Sequence, residues 1–166
     1  MKLLIFLFPF LMFTQDHIQI EIHQDARLMF LGDDKGNRHI TQDIKLSVAL
    51  QGKQFEWYYF ELKPSLEYAN LKGGKFVTWT VQGGWVFNQL FIRNIEAGIY
   101  PTIGLLHRFN TSYFAYGITS ELNYKITEKL KIGLMLQGIT RPDLKDKWNT
   151  KGLKPSGYLG IKYVIK

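Results

Sequence analysis

The sequence predicts an all-β fold: an eight-stranded antiparallel up-and-down β-barrel behind a short apolar leader. Three observations carry this. Apolar and polar residues alternate with period two along nearly all of the chain after residue 16, a periodicity that separates two faces only in a β-strand. The alternating runs number eight, divided by glycine-rich or polar breaks. Each lasts about 10–13 residues, against roughly 5–6 for a typical globular strand.

The leader comes first. Met1-Lys2 is a minimal positive start, and residues 3–13 form an unbroken apolar run before Thr14-Gln15-Asp16 turns polar. A run of that length reads as the h-region of a secretory signal peptide, too short for a membrane helix. Residues 1–15 are therefore expected to be a signal peptide and 16–166 a single barrel domain. The mature charge then falls from +7 to +6 with the loss of Lys2.

The first strand is read from Ile18 to Phe30, with Ile18, Ile20, Ile22, Ala26, Leu28 and Phe30 on one face. His17, Glu21, His23, Asp25 and Arg27 lie on the other. A polar break at 32–39 precedes the second, where Ile44, Leu46, Val48 and Leu50 oppose Asp43, Lys45 and Ser47. Gly52-Lys53 is read as a tight turn. In the third, Tyr58, Phe60, Leu62, Leu66 and Tyr68 oppose Glu61, Lys63 and Glu67. The fourth sets Val77, Trp79, Val81, Trp85 and Phe87 against Thr78, Thr80 and Gln82. The fifth sets Ile95, Ile99, Ile103 and Leu105 against Glu96, Gly98, Tyr100 and Arg108. The sixth sets Phe114, Tyr116, Ile118, Leu122 and Tyr124 against Ala115, Thr119, Glu121 and Lys125. The seventh sets Leu130, Ile132, Leu134 and Leu136 against Lys131, Gly133 and Gln137. The eighth sets Leu159, Ile161, Tyr163 and Ile165 against Tyr158, Gly160 and Lys162. No stretch shows a helical period. The links after strands one, three, five and seven (32–39, 71–75, 109–112 and 142–155) read as longer loops, and those at 52–53 and 127–129 as short turns. That asymmetry suits a barrel in an outer membrane, short turns inward and loops outward.

Composition sets limits. With no cysteine among 166 residues, a disulfide scaffold and Cys-based metal or nucleophile chemistry are excluded. The mean hydropathy of −0.12 argues against a bundle of membrane helices but not against a membrane barrel, where every second residue is polar.

Alternation alone does not say which face is outward: a lipocalin-like soluble barrel puts its apolar face inside, a membrane barrel outside. Two features favour lipid. Apolar-face aromatics gather toward strand ends, Tyr58, Phe87, Tyr124 and Tyr163 at one and Phe30, Tyr68, Phe114 and Tyr116 at the other. Two such girdles are what headgroup-level rings form. The polar face also carries near-balanced charge: Glu21, Asp25, Asp43, Glu61, Glu67, Glu96 and Glu121 against Arg27, Lys45, Lys63, Arg108, Lys125, Lys131, Arg141 and Lys162. A closed interior must balance its charges, because a buried unpaired ion costs several kcal/mol. These residues are expected to form a lumen charge network.

The last strand carries a resemblance. Gly160, two free positions, then Tyr163 and Ile165 look like the C-terminal β-signal of outer-membrane proteins, with Tyr158 and the terminal Lys166 as departures. The whole mature chain resembles the small OmpA/OmpX-type barrels, and the Phe13-Thr14-Gln15 leader ending is similar to leaders common in Bacteroidetes. The resemblance implies an outer-membrane location, insertion by the outer-membrane assembly machinery through the C-terminal strand, and a monomer in contact with membrane lipid.

Catalytic chemistry is weakly represented. His17, His23, His39 and His107 form no metal-binding spacing, and no phosphate-binding or Gly-x-Ser-x-Gly motif appears. Some eight-stranded barrels are lipid-modifying enzymes with His and Ser at the rim; here only His107 with Ser112 approaches that pattern. The expectation is a non-enzymatic protein without cofactor, its lumen plugged, with an envelope-structural or surface-binding, adhesion-type role. The alternatives are a secreted lipocalin-like carrier of an apolar ligand and a lipid-modifying enzyme. The positive surplus collects in the last loop, where Lys145, Lys147, Lys151 and Lys154 are expected to meet lipopolysaccharide phosphates. Elsewhere the charges are dispersed, which argues against nucleic-acid binding.

Overall fold

The computed structural model describes residues 17–33, 36–88, 94–149 and 153–165; the leader at 1–15 lies outside them. Eight strands close on themselves in sequence order. They are β1 (His17–Asp25), β2 (Asp43–Gln54), β3 (Tyr58–Leu71), β4 (Gly74–Asn88), β5 (Ile95–Arg108), β6 (Thr111–Lys125), β7 (Leu130–Thr140) and β8 (Leu153–Val164). Every neighbouring pair is antiparallel, and β1 meets β8 through Ile20↔Tyr163, Ile22↔Ile161 and Gln24↔Leu159. Closure leaves no sheet edge along the paired length, which removes the template for aggregation that an open edge presents. The longest strands have 15 residues. Tilted by about 45°, such a strand spans roughly 35 Å, more than the ~25 Å apolar band of a membrane barrel needs.

Period two is realised throughout, with the two faces placed opposite to the order of a soluble protein. Lys63, Lys45, Glu21 and Gln82 are fully buried inside the barrel, while Trp79 is 61% and Ile161 56% exposed on its outer wall. The interior is stratified. Near the loop end Ala69, Phe76, Leu106, Ala115 and Ile139 pack together; toward the other end Tyr59, Val86 and Tyr100 do so. Buried charged and amide side chains lie between them.

Two helices break the expectation of an all-strand chain. Strand β1 ends at Asp25, five residues short of the sequence reading, and α1 (Ala26–Phe30) follows. The Asp25 carboxylate accepts the Leu28 N–H at 2.8 Å, an N-cap that starts a helix where alternation had suggested more strand. Leu28 is buried, but Arg27 and Phe30 are exposed on α1. The second helix, α2 (Pro142–Trp148), begins on a proline suited to the first helical turn and ends at Asn149, left-handed at φ 51°.

The links also differ from expectation. Gly52-Lys53 is not a turn: β2 continues to Gln54 through a register shift, and the chain reverses at 55–57. The links after β3 and β5 are two-residue hairpins, as short as anything at the opposite end. Phe109 and Asn110 both adopt positive φ, 52° and 61°, the type I′ geometry whose twist matches the flanking strands. Only residues 26–42 and 141–152 are long connections on that side.

Candidate functional site

The interior side chains converge from five strands on one cluster. Lys63 of β3 places its Nζ 2.6 Å from Glu121, 3.2 Å from Glu21 and 3.3 Å from Glu61. Lys162 of β8 bonds Glu21 at 2.8 Å and also Glu121. Tyr100 of β5 donates its hydroxyl to Glu61 at 2.9 Å, and its ring lies 4.3 Å from the Lys63 ammonium. Two glycines make room. A Cβ on Gly98 would collide with the Tyr100 phenol, and one on Gly160 with the His23 ring and the Ile22 carbonyl.

Smaller networks extend the filling in both directions. Thr119 bonds Thr102 at 2.8 Å, Gln137 at 3.3 Å and Gln82 at 3.5 Å. Glu67 takes the Tyr158 hydroxyl at 3.0 Å and faces Lys45 at 3.8 Å. Toward the turn end Glu96 joins Lys131 at 2.7 Å and Lys125 at 2.8 Å, with Lys125 one-third exposed at the mouth. At the loop end Arg141 makes two 2.9 Å bonds to Asp143, Arg108 adds a third at 3.1 Å, and Arg141 stacks 4.6 Å from the Phe76 ring. Burial works against the Asp143 charge, but the bonds from Arg141 and then Arg108 outweigh it and hold the carboxyl below the usual aspartate range. With Leu144 also buried, α2 is held against the barrel at the loop end.

Of the expected interior charges, Glu21, Asp25, Asp43, Lys45, Glu61, Lys63, Glu67, Glu96, Arg108, Glu121, Lys131 and Lys162 are buried in the barrel. Arg27 is the correction: it lies exposed on α1, because the Asp25 cap ends β1 before it. Asp25 itself serves that cap. The sequence reading left out Asp143, whose loop position gave no face to assign, and the tyrosines Tyr100 and Tyr158, which sat on the polar parity but are uncharged. Glu21, His23 and Glu121 bring potential metal-ligand atoms within 4.8 Å of one another. Both carboxylates there are already bonded to Lys63 and Lys162, so a divalent cation would meet two ammonium groups.

Outside, Tyr58 pairs with Phe87, and Tyr124 and Tyr163 lie at the same turn-side level. Tyr68, Phe114 and Tyr116 lie toward the loop end, and Phe30 sits on α1 rather than on a strand. The turn at 55–57 adds exposed Phe55 and Trp57. His107 and Ser112 are cross-strand partners whose side chains meet at 3.1 Å on the outer wall; no carboxylate among the described residues bonds the histidine ring. Of the four lysines of the last connection, Lys145 is exposed on α2 and Lys154 lies half-buried in β8, paired with Ile139. Lys154 is thus a strand residue with interior parity, not a loop residue. Lys151 lies outside the described residues, as does the side chain of Lys147.

A closed eight-stranded barrel with ion pairs inside and a continuous apolar wall outside has one solvent in which both faces are satisfied, a lipid bilayer. No family model and no curated protein matches the chain. Solved structures do. The fold is that of a small outer-membrane β-barrel. The outer-membrane protein Ail of Yersinia pestis in a phospholipid bilayer nanodisc superimposes with TM-score 0.51 at 14% identity, over 90% of this chain and 99% of that one. The crystal structure of Ail, named as the attachment invasion locus protein, gives TM-score 0.50 at 11% identity over 90% and 97%. At such identities the likeness is one of backbone, and the interior of this chain has to be read from its own residues.

Proposed function

We propose that this protein is a monomeric, non-enzymatic barrel of the outer membrane that anchors a surface-exposed loop end, with a binding or adhesion-type role. The observation that carries the reading is the inverted burial, charges within and Trp79, Ile103, Phe114 and Ile161 without. It also removes the lipocalin-like alternative, since a carrier of apolar ligand needs an apolar cavity where this barrel has Lys63, Glu121 and Lys162. An eight-stranded interior is just wide enough for side chains to fill, and here ion pairs and the α2 cap fill it. Among the described residues no third group orients the His107–Ser112 pair as a catalytic dyad needs, which supports the non-enzymatic reading. Ail's name attaches attachment and invasion to that protein; for this chain the corresponding surface is the loop end, where Lys72, Lys75 and Lys145 are exposed. That basic rim suits contact with lipopolysaccharide phosphates.

The test is migration and recovery. The folded protein is expected in the membrane fraction and should shift on gels after heating in detergent. Recovery as a soluble monomer without detergent would overturn the reading. For the rim, replacing the exposed Lys72, Lys75 and Lys145 by Glu should weaken lipopolysaccharide binding; unchanged binding would refute that part alone.

A further inference from the structure

Strand β1 is the shortest of the eight, and this leaves a defect in the wall. Its pairing with β8 ends at Asp25↔Tyr158, whereas β8 continues upward beside β7 to Leu153↔Thr140. Beyond Tyr158 one edge of β8 therefore has no strand partner, and α1 packs there against β8 and β1. The described parts of the connection, 26–33 and 36–42, are tied down by hydrogen bonds. Ile40 N–H reaches the Met29 carbonyl at 3.2 Å, Gln24 holds the Thr41 carbonyl at 3.0 Å, and Asn37 accepts the Lys72 N–H at 2.6 Å.

These residues turn their apolar side chains outward. Leu28 alone points in; Met29, Phe30, Leu31 and Ile40 are exposed, Leu31 by 82% and Ile40 by 77%. Ile40 sits at φ 63°, a left-handed conformation that a β-branched residue rarely adopts. Met29 lines the same outer groove as Ile20, Ile22, Leu159 and Ile161, so the patch continues the lipid-facing wall. Arg27 and Arg38 flank it, both exposed.

We propose that residues 26–33 and 36–42 form an interfacial lipid-binding anchor. Phe30, Leu31 and Ile40 enter the acyl region of the adjoining leaflet beside the β1–β8 seam, and Arg27 and Arg38 take the phosphate of an anionic phosphorylated lipid. Amphipathic segments of this kind bind through buried apolar area together with basic side chains at the phosphate level. The inference rests on the membrane-spanning reading, and the experiment separates the two.

The chain has no cysteine, so one fluorophore can be placed at Leu31→Cys, Ile161→Cys or Glu128→Cys in the full barrel reconstituted in phosphatidylcholine vesicles. Quenching by acyl-brominated lipid should be strong at 161 on the wall, equally strong at 31, and weak at 128 on the turn. Strong quenching at 161 with only turn-level quenching at 31 overturns the anchor and leaves the spanning barrel standing. Weak quenching at 161 as well overturns both. Brominated phosphatidylglycerol should then quench the label at 31 in preference to brominated phosphatidylcholine. That preference should fall about fivefold for each of Arg27→Gln and Arg38→Gln; an unaltered preference refutes the phosphate contact.

Discussion

Lys63 touches three carboxylates and an aromatic face with a single ammonium group, so its removal leaves several charges unbalanced at once. Lys63→Ala is expected to cost about 3–5 kcal/mol, the usual result of breaking a buried ion pair from one side. Urea unfolding in detergent micelles measures it. Replacing Lys63 and Glu121 together by Met should cost clearly less than the sum of the two single changes, because the partners disappear together. At the seam, Gly160→Val should destabilise by about 1–3 kcal/mol through overpacking against the His23 ring and the Ile22 backbone. The residue scale is also where reading from sequence is best and worst. Parity alone puts Lys63, Glu121 and Lys162 on one face, because the strand period is two. It cannot say that these three meet, since they come from strands far apart in the chain that closure brings across the barrel.

Among the elements, α2 is held by a carboxylate whose charge depends on pH. Asp143 titrates below the ordinary aspartate range in the folded protein. A carboxyl so depressed stabilises the cap fully above its unfolded pKa, and the contribution is lost as pH falls through the lower, folded value. Backbone amides of 143–149 should therefore stay protected from hydrogen exchange at neutral pH and become labile only in strong acid. In Asp143→Asn they should exchange faster at neutral pH too. Equal protection in wild type and variant would show that Leu144 packing, not the arginine clasp, holds the helix. Both helices escaped a reading based on period, for a physical reason: at 5 and 7 residues they are too short to show one. Asp25 ahead of Leu28, and Arg141-Pro142-Asp143, were the available cap signatures. The two-residue hairpin at Phe109-Asn110 was equally hidden, since a phenylalanine at positive φ is not a residue that announces a turn.

For the whole molecule, the wall and the lumen give opposite expectations for the same kind of change. Ile161→Arg or Trp79→Arg, on the lipid side, should cost up to about 2–4 kcal/mol in a bilayer, depending on depth. Reconstitution in planar bilayers should show no single-channel currents of porin size; such currents would mean that the ion-pair column and α2 do not block the lumen. The sequence by itself determined the number of strands, the face that residues within the strands belong to and the balance of charge on the polar face. These follow from local geometry, where side chains alternate whatever lies beyond the strand. It did not determine which face was inside, where β1 stops, or how the long links lie. Closure of β1 on β8 decided the first, by enclosing the charges and leaving the isoleucines and tryptophans outside. The Asp25 cap decided the second, and by shortening β1 it opened the seam that α1 covers with its own apolar side chains. Each of these depends on contacts between residues distant in the chain, which alternation along a single strand does not encode.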